Sequence, residues 1–310
     1  MNQTRFAADL GPLAPAGRIG IAVSGGPDSL ALLVLAAAAR PGEVEAVTVD
    51  HRLRPASRNE AEGVAAICAA IAVPHIILSA RWTDPPTANV QARARDERYA
   101  LLARWATDRR LAAVATAHHA DDQAETLLMR LARGSGVSGL AGVRPSRTLS
   151  PGVALIRPLL GWRKLELEAI AAAAGLAPTD DPSNRDPRHD RARVRSWLTE
   201  APLDAERLAA SAAWLREADD ALDWSLAQAD RLTHCGNIVT LDPENLPREL
   251  QRRLLLAAFS ALDAPAPRGP DLARALNALT RGGTATLAGM KLSGGSRWCL
   301  SPAPPRARRS

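Results

Sequence analysis

Short apolar runs rich in Val and Ile recur through the first half of the chain, at 19–23, 44–49, 73–78, 111–115 and 153–156. Their length and β-branched content predict buried strands. Between them lie longer stretches that mix apolar positions with Arg, Glu and Asp at helical spacing, over 58–70, 87–105 and 124–133. The run carrying Leu30, Leu32, Leu33 and Leu35 is too long and too Ala-rich for a strand and predicts a helix. Ser57, with Glu60 three residues on, forms a capping box at the head of 58–70. This alternation predicts an α/β fold on a doubly wound parallel sheet, because each crossover helix has to cover a sheet face. Polar clusters follow the runs that end at Val23, Val49 and Ala115. Ligands in such sheets bind beyond the carboxyl ends of the strands, so the three clusters can converge on one crevice.

The pattern then loosens. Residues 134–150 hold Gly134, Gly136, Gly139 and Gly142 with Arg144 and Arg147, and predict a mobile loop or a plain linker. Residues 179–195 mix Asp, Pro, Ser, Asn and Arg and read as the irregular exit from a first domain. An Ala/Leu/Arg-rich helical pattern covers 204–232, with Trp214 and Trp224 expected in a core. Further helices are expected over 250–262 and 271–280, on either side of the Pro-rich 264–270, and a terminal hairpin within 282–300. The Pro/Arg-rich 301–310 reads as a disordered tail. The expected organisation is a first domain over 1–198, a second, smaller, mainly helical domain over 199–300, and the tail.

A chain of 310 residues is long enough for two such domains. At 46% apolar residues, with no apolar run approaching a membrane span, it reads as soluble. The first fifteen residues lack the basic and apolar regions of a signal peptide. Cys68, Cys235 and Cys299 are odd in number and form no Cys-x-x-Cys pair, so neither a disulfide framework nor a cysteine metal site is indicated. A cytoplasmic location is expected. Net charge is +6, and Lys164 and Lys291 are the only lysines. The basic balance suits a polyanionic partner; the arginine bias equally suits a GC-rich coding sequence.

The stretch with the most chemistry is Ser24-Gly25-Gly26-Pro27-Asp28-Ser29, between the first strand and the first long helix. Two glycines let the backbone turn tightly and approach a ligand. Pro27 suits the first helical turn, where its missing N–H costs little. The free N–H groups at the helix start, with the serine hydroxyls, make a cradle for phosphate oxygens. Asp28 would repel a bare phosphate, so its expected partner is a Mg²⁺ that travels with the phosphates. The Gly-Lys-Ser/Thr ending of the kinase and GTPase loop is missing. Strand, loop and helix together resemble the pyrophosphatase loop of the N-type ATP pyrophosphatases, which cleave ATP between its α and β phosphates and adenylate their substrate. That resemblance implies a sheet of the adenine nucleotide alpha hydrolase type.

Four further stretches resemble motifs of the tRNA(Ile)-lysidine synthases. They are Val49 to Ser57, with Asp50-His51-Arg52-Leu53-Arg54-Pro55-Ala56; Asn89 to Tyr99, with Arg93, Arg95 and Arg98; Thr116 to Gly142, with His118-His119 and Asp121-Asp122-Gln123-Ala124-Glu125-Thr126; and Asp181-Pro182-Ser183-Asn184-Arg185-Asp186, followed by Arg191 and Arg195. With the loop they fall in family order over 18–195. Ala192 departs from the Asn that the family often has after the first of these arginines.

The resemblance implies an enzyme with ATP as co-substrate and Mg²⁺. Its expected partners are free L-lysine and an isoleucine tRNA whose anticodon reads CAU. The wobble cytidine is adenylated at its C2 oxygen with release of pyrophosphate; the lysine ε-amine then attacks C2 and expels AMP. The domain over 1–198 becomes the expected catalytic domain and that over 199–300 the expected tRNA-binding domain. Ser24, Gly25, Gly26, Pro27, Asp28 and Ser29 are then assigned to the ATP phosphates, with Asp28 also on the metal, and Asp50 and His51 to the adenosine end. Lysine arrives as an ammonium, which calls for carboxylates to hold it and take a proton. Asp121, Asp122 and Glu125, three or four apart on a helix start, are the candidates; a helix cap and dipole complement would need only one of them. Arg95 and Arg98, at i and i+3, read either as a pair on ATP or the adenylated intermediate, or as a solvated basic face. His118 and His119 lack a third metal ligand at a usual spacing and read as hydrogen-bonding residues. Arg191, Arg193 and Arg195 are expected on tRNA phosphates. The loop over 134–150 would close over the nucleotide and the tRNA. The oligomeric state stays open, a homodimer included. Two other readings compete: a tRNA cytidine thiolase, against which the missing Cys-x-x-Cys pairs count, and a tRNA-binding protein with a relic nucleotide site, against which the intact loop and acidic cluster count.

Overall fold

The computed structural model describes residues 1–52, 57–80, 82, 90–178, 190–201 and 203–304. Leu53 to Ala56 of the second motif, Asn89 of the third, 181–186 and the end of the tail, 305–310, lie outside the described residues.

Six strands form one sheet: β1 (Ile19–Ala22), β2 (Val44–Asp50), β3 (His75–Ser79), β4 (Ala113–Ala115), β5 (Ser146–Ser150) and β6 (Val153–Ile156). Their order is β3-β2-β1-β4-β6-β5. All neighbours are parallel except β5 and β6. The five expected strands are present, with the chain reversing direction outward from β1. The expected loop over 134–150 is partly structured: Val137–Leu140 is a short helix and Ser146–Ser150 an antiparallel edge strand. Pro151 and Gly152 make the tight turn, with Gly152 at φ 77°, that folds β5 back on β6. Its polar Ser-Arg-Thr sequence hid it, because an edge strand has one face in water.

Helices α1 (Asn2–Leu10), α2 (Pro27–Ala39) and α7 (Lys164–Ala173) pack on one face of this sheet. There Phe6, Ile19, Ile21, Leu30, Leu33, Trp162 and Leu167 are fully buried. On the other face α4 (Val90–Asp108) buries Leu102 and Trp105 against Val47, Val114 and Leu155. Ile19 and Ile21 point one way and Gly20 the other, as a strand's period of two requires. Gly20 is needed there: a Cβ would lie 2.5 Å from the Trp105 ring. The remaining helices are α3 (Ser57–Ala70), α5 (Ala120–Leu131), α6 (Val137–Leu140), α8 (Asp190–Glu200), α9 (Ala205–Ala227), α10 (Arg248–Ala261) and α11 (Gly269–Thr280). No helix among the described residues is long and apolar enough to cross a membrane.

The chain divides into two compact units, Met1–Arg216 and Glu217–Ser310. The second unit packs α10 and α11 on a five-stranded antiparallel sheet, larger than the terminal hairpin expected. β7 (Leu232–Cys235) and β8 (Ile238–Leu241) join β9 (Thr284–Leu287), β10 (Met290–Ser293) and β11 (Trp298–Pro302) in the order β7-β8-β11-β10-β9. Ser301 and Pro302, expected in the tail, pair with Lys291 and Met290. Phe259, Leu276, Trp298 and Leu300 form its core. Arg253 is buried there and satisfied by Asp219, Asp223 and Glu249.

Trp214 and Trp224 correct the sequence expectation: they are 69% and 67% exposed. The buried positions of α9 are Ala205, Ala212 and Asp219. Seven residues apart, these share one helix face, and both tryptophans fall on the other side.

Candidate active site

The loop after β1 is built as its sequence requires. Gly25 sits at φ 88°, a conformation L side chains avoid. Gly26 is extended and precedes Pro27, the first residue of α2, and no side chain caps this helix. Its leading N–H groups are left to a ligand. Ser29 Oγ donates to Gly26 O (2.9 Å) and accepts from Ser24 N (3.1 Å) and Ser24 Oγ (3.2 Å). The two serines thus tie the loop's ends together with hydroxyls on its inner side.

Asp28, in the first turn of α2, has one buried oxygen, Oδ1, without a hydrogen-bond partner. Its Oδ2 lies 3.6 Å from His119 Nε2. Among the described residues no cluster of three or more His, Cys, Asp or Glu forms a metal cage. An orphaned carboxylate oxygen beside a phosphate cradle fits a Mg²⁺, which takes one or two carboxylates and completes its shell with phosphate oxygens and water.

His119 joins this loop to the acidic cluster. It is the N-cap of α5: its N–H donates to Asp122 Oδ2 (3.1 Å), and the Asp122 N–H approaches its Nδ1 at 3.4 Å. Asp28, Asp121 and Asp122 carboxylates all lie 3.5–3.6 Å from its ring nitrogens. Burial pulls the His119 pKa down, but Asp121, Asp28 and Asp122 outweigh it and raise it to about 10. The ring is therefore an imidazolium at neutral pH. Three carboxylates so near outweigh the long amide contact, which would need Nδ1 unprotonated.

The carboxylates are themselves held. Asp121 accepts from Lys164 N (2.8 Å) and faces Arg163 at 3.3 Å. Burial alone would raise its pKa; His119, the Lys164 N–H and Arg163 keep it well below the usual carboxylate range. Asp122 is shifted the same way: burial opposes, and His119 and Arg191 prevail. Glu125 is 1% exposed and gripped by Arg191 Nε (2.9 Å) and Arg195 Nε (2.6 Å). These arginines, one turn apart on α8, were expected on tRNA phosphates; they bind Glu125, and Arg193 binds Asp190.

Asp50, 3% exposed, accepts from Arg52 N (2.9 Å) and Ser57 Oγ (2.7 Å), so it shapes the turn from β2 into α3. His51 makes no hydrogen bond with it and has a buried, unpartnered Nδ1. Burial lowers the His51 pKa, and Arg98 adds to this. Arg95 and Arg98 both stand over the Tyr99 ring, 5.1 and 5.5 Å from its centre. His118 lies between the two groups of charges. Burial drives its pKa down to about 3, with Asp122 opposing and Arg157, Arg95 and Arg191 reinforcing. It is neutral, with Nδ1 3.0 Å from Thr116 Oγ1.

The structure thus brings Asp28 of the loop together with Asp121 and Asp122 around His119, joins Asp122 to Glu125 through Arg191, and sets Arg98 near His51. Sequence reasoning missed His119 as the hub, and Arg163, Tyr99 and Arg157. The i, i+4 spacing of Arg191 and Arg195 was a readable sign of a shared partner.

A family model described as a PP-loop domain matches residues 2–201. A tRNA(Ile)-lysidine synthase of Novosphingobium aromaticivorans is 48% identical over 97% of this chain and 94% of its own length. That of Zymomonas mobilis is 43% identical over 94% of this chain and 90% of its own, and that of Ruegeria pomeroyi 45% over 91% and 70%. Among solved structures, the U34-tRNA thiolase NcsA of Methanococcus maripaludis shares the fold, with a TM-score of 0.58, 17% identity and coverage of 70% of this chain and 78% of that one.

Proposed function

The chain belongs to the tRNA(Ile)-lysidine synthase family, and from that footing we propose that it ligates free L-lysine to C2 of the wobble cytidine in the CAU-anticodon isoleucine tRNA. Family membership makes it an ATP-dependent, tRNA-modifying ligase. The cytidine C2 oxygen attacks the α-phosphate of ATP, the bond to the β-phosphate breaks, and pyrophosphate leaves. The lysine ammonium gives up a proton to solvent, the free ε-amine adds to C2, the C2–O bond breaks, and AMP leaves. The tRNA thereby reads AUA and is charged as isoleucine.

The observation that carries this reading is the loop itself: an uncapped helix start, two serines held by each other, and an orphaned Asp28 oxygen in the first turn of the same helix. Ser24, Gly25, Gly26, Pro27 and Ser29 hold the phosphates. Asp28 would hold Mg²⁺, which would supply positive charge to offset that building on the leaving pyrophosphate. His51, with Asp50 fixing its turn, lines the adenosine end. Arg95 and Arg98 stand by the α-phosphate of the adenylated base. Asp121 and Asp122 are carboxylates of depressed pKa, which hold a cation well and take a proton poorly. They are assigned to holding the lysine ammonium rather than to deprotonating it, and Glu125 to fixing α8 over them through Arg191 and Arg195. The domain over 199–300 grips the tRNA outside the site, with Trp214 and Trp224 exposed for stacking. The enzyme acts in the cytoplasm.

The test is incorporation of labelled lysine into unmodified CAU-anticodon isoleucine tRNA, with ATP and Mg²⁺ and with elongator methionine tRNA as control. Label in the isoleucine tRNA alone is expected. Pyrophosphate release without label would keep the adenylation and overturn lysine as the nucleophile.

A further inference from the structure

Beyond the acidic cluster, the first unit holds a concentration of positive charge of which the proposed reaction uses only Arg95 and Arg98. Tyr99 on α4 is ringed by guanidinium groups. Arg147, from β5, is 4.7 Å from its ring centre, beside Arg95 at 5.1 Å and Arg98 at 5.5 Å. Arg157, one residue past β6, is the fourth: it is only 3% exposed and bears on the Tyr99 hydroxyl both by its charge and by a side-chain hydrogen-bonding approach. No carboxylate answers them: among the described residues none of the four makes an ion pair. Arg157 places Nη1 on Arg144 O at 2.6 Å; its buried Nε and the buried Tyr99 hydroxyl make no hydrogen bond of good geometry, so the approach of the two side chains leaves both atoms short of a full partner.

Cation–π contacts with one phenol ring explain part of this. Each is worth little at an exposed site, and one ring cannot offset four like charges. A buried cation without a counter-charge is costly, and buried polar atoms without partners need a reason. One anion with several oxygens would answer both, accepting from Arg157 Nε, Tyr99 Oη and the nearby forks together.

Position selects the anion. Arg157 leaves the carboxyl end of β6, and β4 separates that strand from β1 and its loop. Two strand spacings are about 9–10 Å. The ATP phosphates belong to the loop after β1. The Tyr99 cluster stands on the β5 edge of the sheet, with Arg95 and Arg147 open to solvent. An entering polynucleotide reaches such a place from outside, and backbone phosphates fix its register.

We propose that Arg147, Arg157 and Tyr99, next to the α-phosphate arginines Arg95 and Arg98, form a phosphodiester subsite for the RNA strand beside the nucleotide being modified. Tyr99 Oη donates to one non-bridging oxygen and the arginines to the other, which positions the target base over the ATP α-phosphate. The inference rests on the tRNA-modifying reading and deepens it.

The experiment is tRNA-dependent pyrophosphate release by the full-length protein, with ATP and tRNA varied separately, for the wild type, Tyr99→Phe and Arg147→Ala. Arg147 is exposed and Tyr99→Phe removes one oxygen, so both variants are expected to fold; far-ultraviolet circular dichroism checks this. The expected result is a KM for tRNA raised about tenfold in each, with the KM for ATP unchanged. The salt dependence of tRNA binding should also flatten, by about 0.7 in log–log slope for the lost Arg147 contact to a single strand. An anticodon stem-loop with a neutral methylphosphonate beside the target cytidine should bind wild type more weakly and Arg147→Ala no more weakly still. A shift in the KM for ATP instead would give the cluster to the nucleotide's phosphates and overturn the proposal, as would unchanged tRNA kinetics in both variants. If wild type itself releases no pyrophosphate with any tRNA, it is the parent reading that fails, so the two failures are distinguishable.

Discussion

Replacing His119 with Asn removes the charge at the hub and keeps a residue able to cap α5, since Asn is a preferred N-cap. In the folded protein Asp28, Asp121 and Asp122 raise the His119 pKa from 6.5 to about 10 against the opposing effect of burial. At about 1.36 kcal/mol per pH unit, that rise corresponds to a ceiling of about 5 kcal/mol. The contacts are 3.5–3.6 Å, longer than the ~2.8 Å of a good charged hydrogen bond, so about half the ceiling, ~2–3 kcal/mol, is the reasonable expectation. The folded pKa lies above the unfolded one. The imidazolium therefore stabilises fully below pH 6.5, and its contribution is lost as pH rises through about 10. The assay is urea unfolding of wild type and His119→Asn at intervals from pH 6 to 10. Wild type should be the more stable by ~2–3 kcal/mol at the acid end, and the difference should shrink steadily toward the alkaline end. Two curves that stay parallel across the range would show that the ring is neutral in the fold and refute the charge network as drawn.

Asp28→Ala should abolish tRNA-dependent pyrophosphate release while tRNA still binds in a filter assay; unchanged turnover would sink the loop assignment. Glu125→Gln keeps the shape between Arg191 and Arg195 but removes the charge. A broken buried pair costs ~3–5 kcal/mol, and with both arginine side chains about 40% exposed about 2 kcal/mol is expected, read as a lowered urea midpoint. Gly20→Ala pushes a methyl to 2.5 Å from the Trp105 ring; overpacking of this kind costs ~1–3 kcal/mol, and an unchanged thermal midpoint would show that Trp105 can move aside freely.

The sheet was legible because β1, β4 and β6 are short, almost wholly apolar buried strands and β2, despite Glu45, Thr48 and Asp50, keeps a valine-rich core. β5 was not legible: Ser146, Arg147 and Thr148 read as loop, and only pairing with β6 makes them a strand. The sheet of the second unit was hidden for a related reason, since Leu232–Cys235 and Ile238–Leu241 are four residues each, too short for periodicity to register. Trp214 and Trp224 misled because aromatic residues are usually core, whereas here small alanines mark the buried face of α9. In the site, the phosphate loop could be read from residue type and order, because glycine, proline and serine each impose a local geometry. The pairing of Glu125 with Arg191 and Arg195, or of Asp121 with Arg163, spans 42 to 70 residues and is created by the fold alone.

The contacts between Ser24 and Ser29 bear on the thermodynamics of nucleotide capture. Ser29 Oγ is anchored by Gly26 O and by the Ser24 N–H, so its rotamer is chosen by the protein before any phosphate arrives. A glycine-rich loop would ordinarily surrender much conformational freedom on closing around a ligand. Here that entropy is given up during folding, and the loop meets its nucleotide as a rigid surface. Binding strength is then available for straining the α–β phosphoanhydride bond rather than for ordering the protein around it.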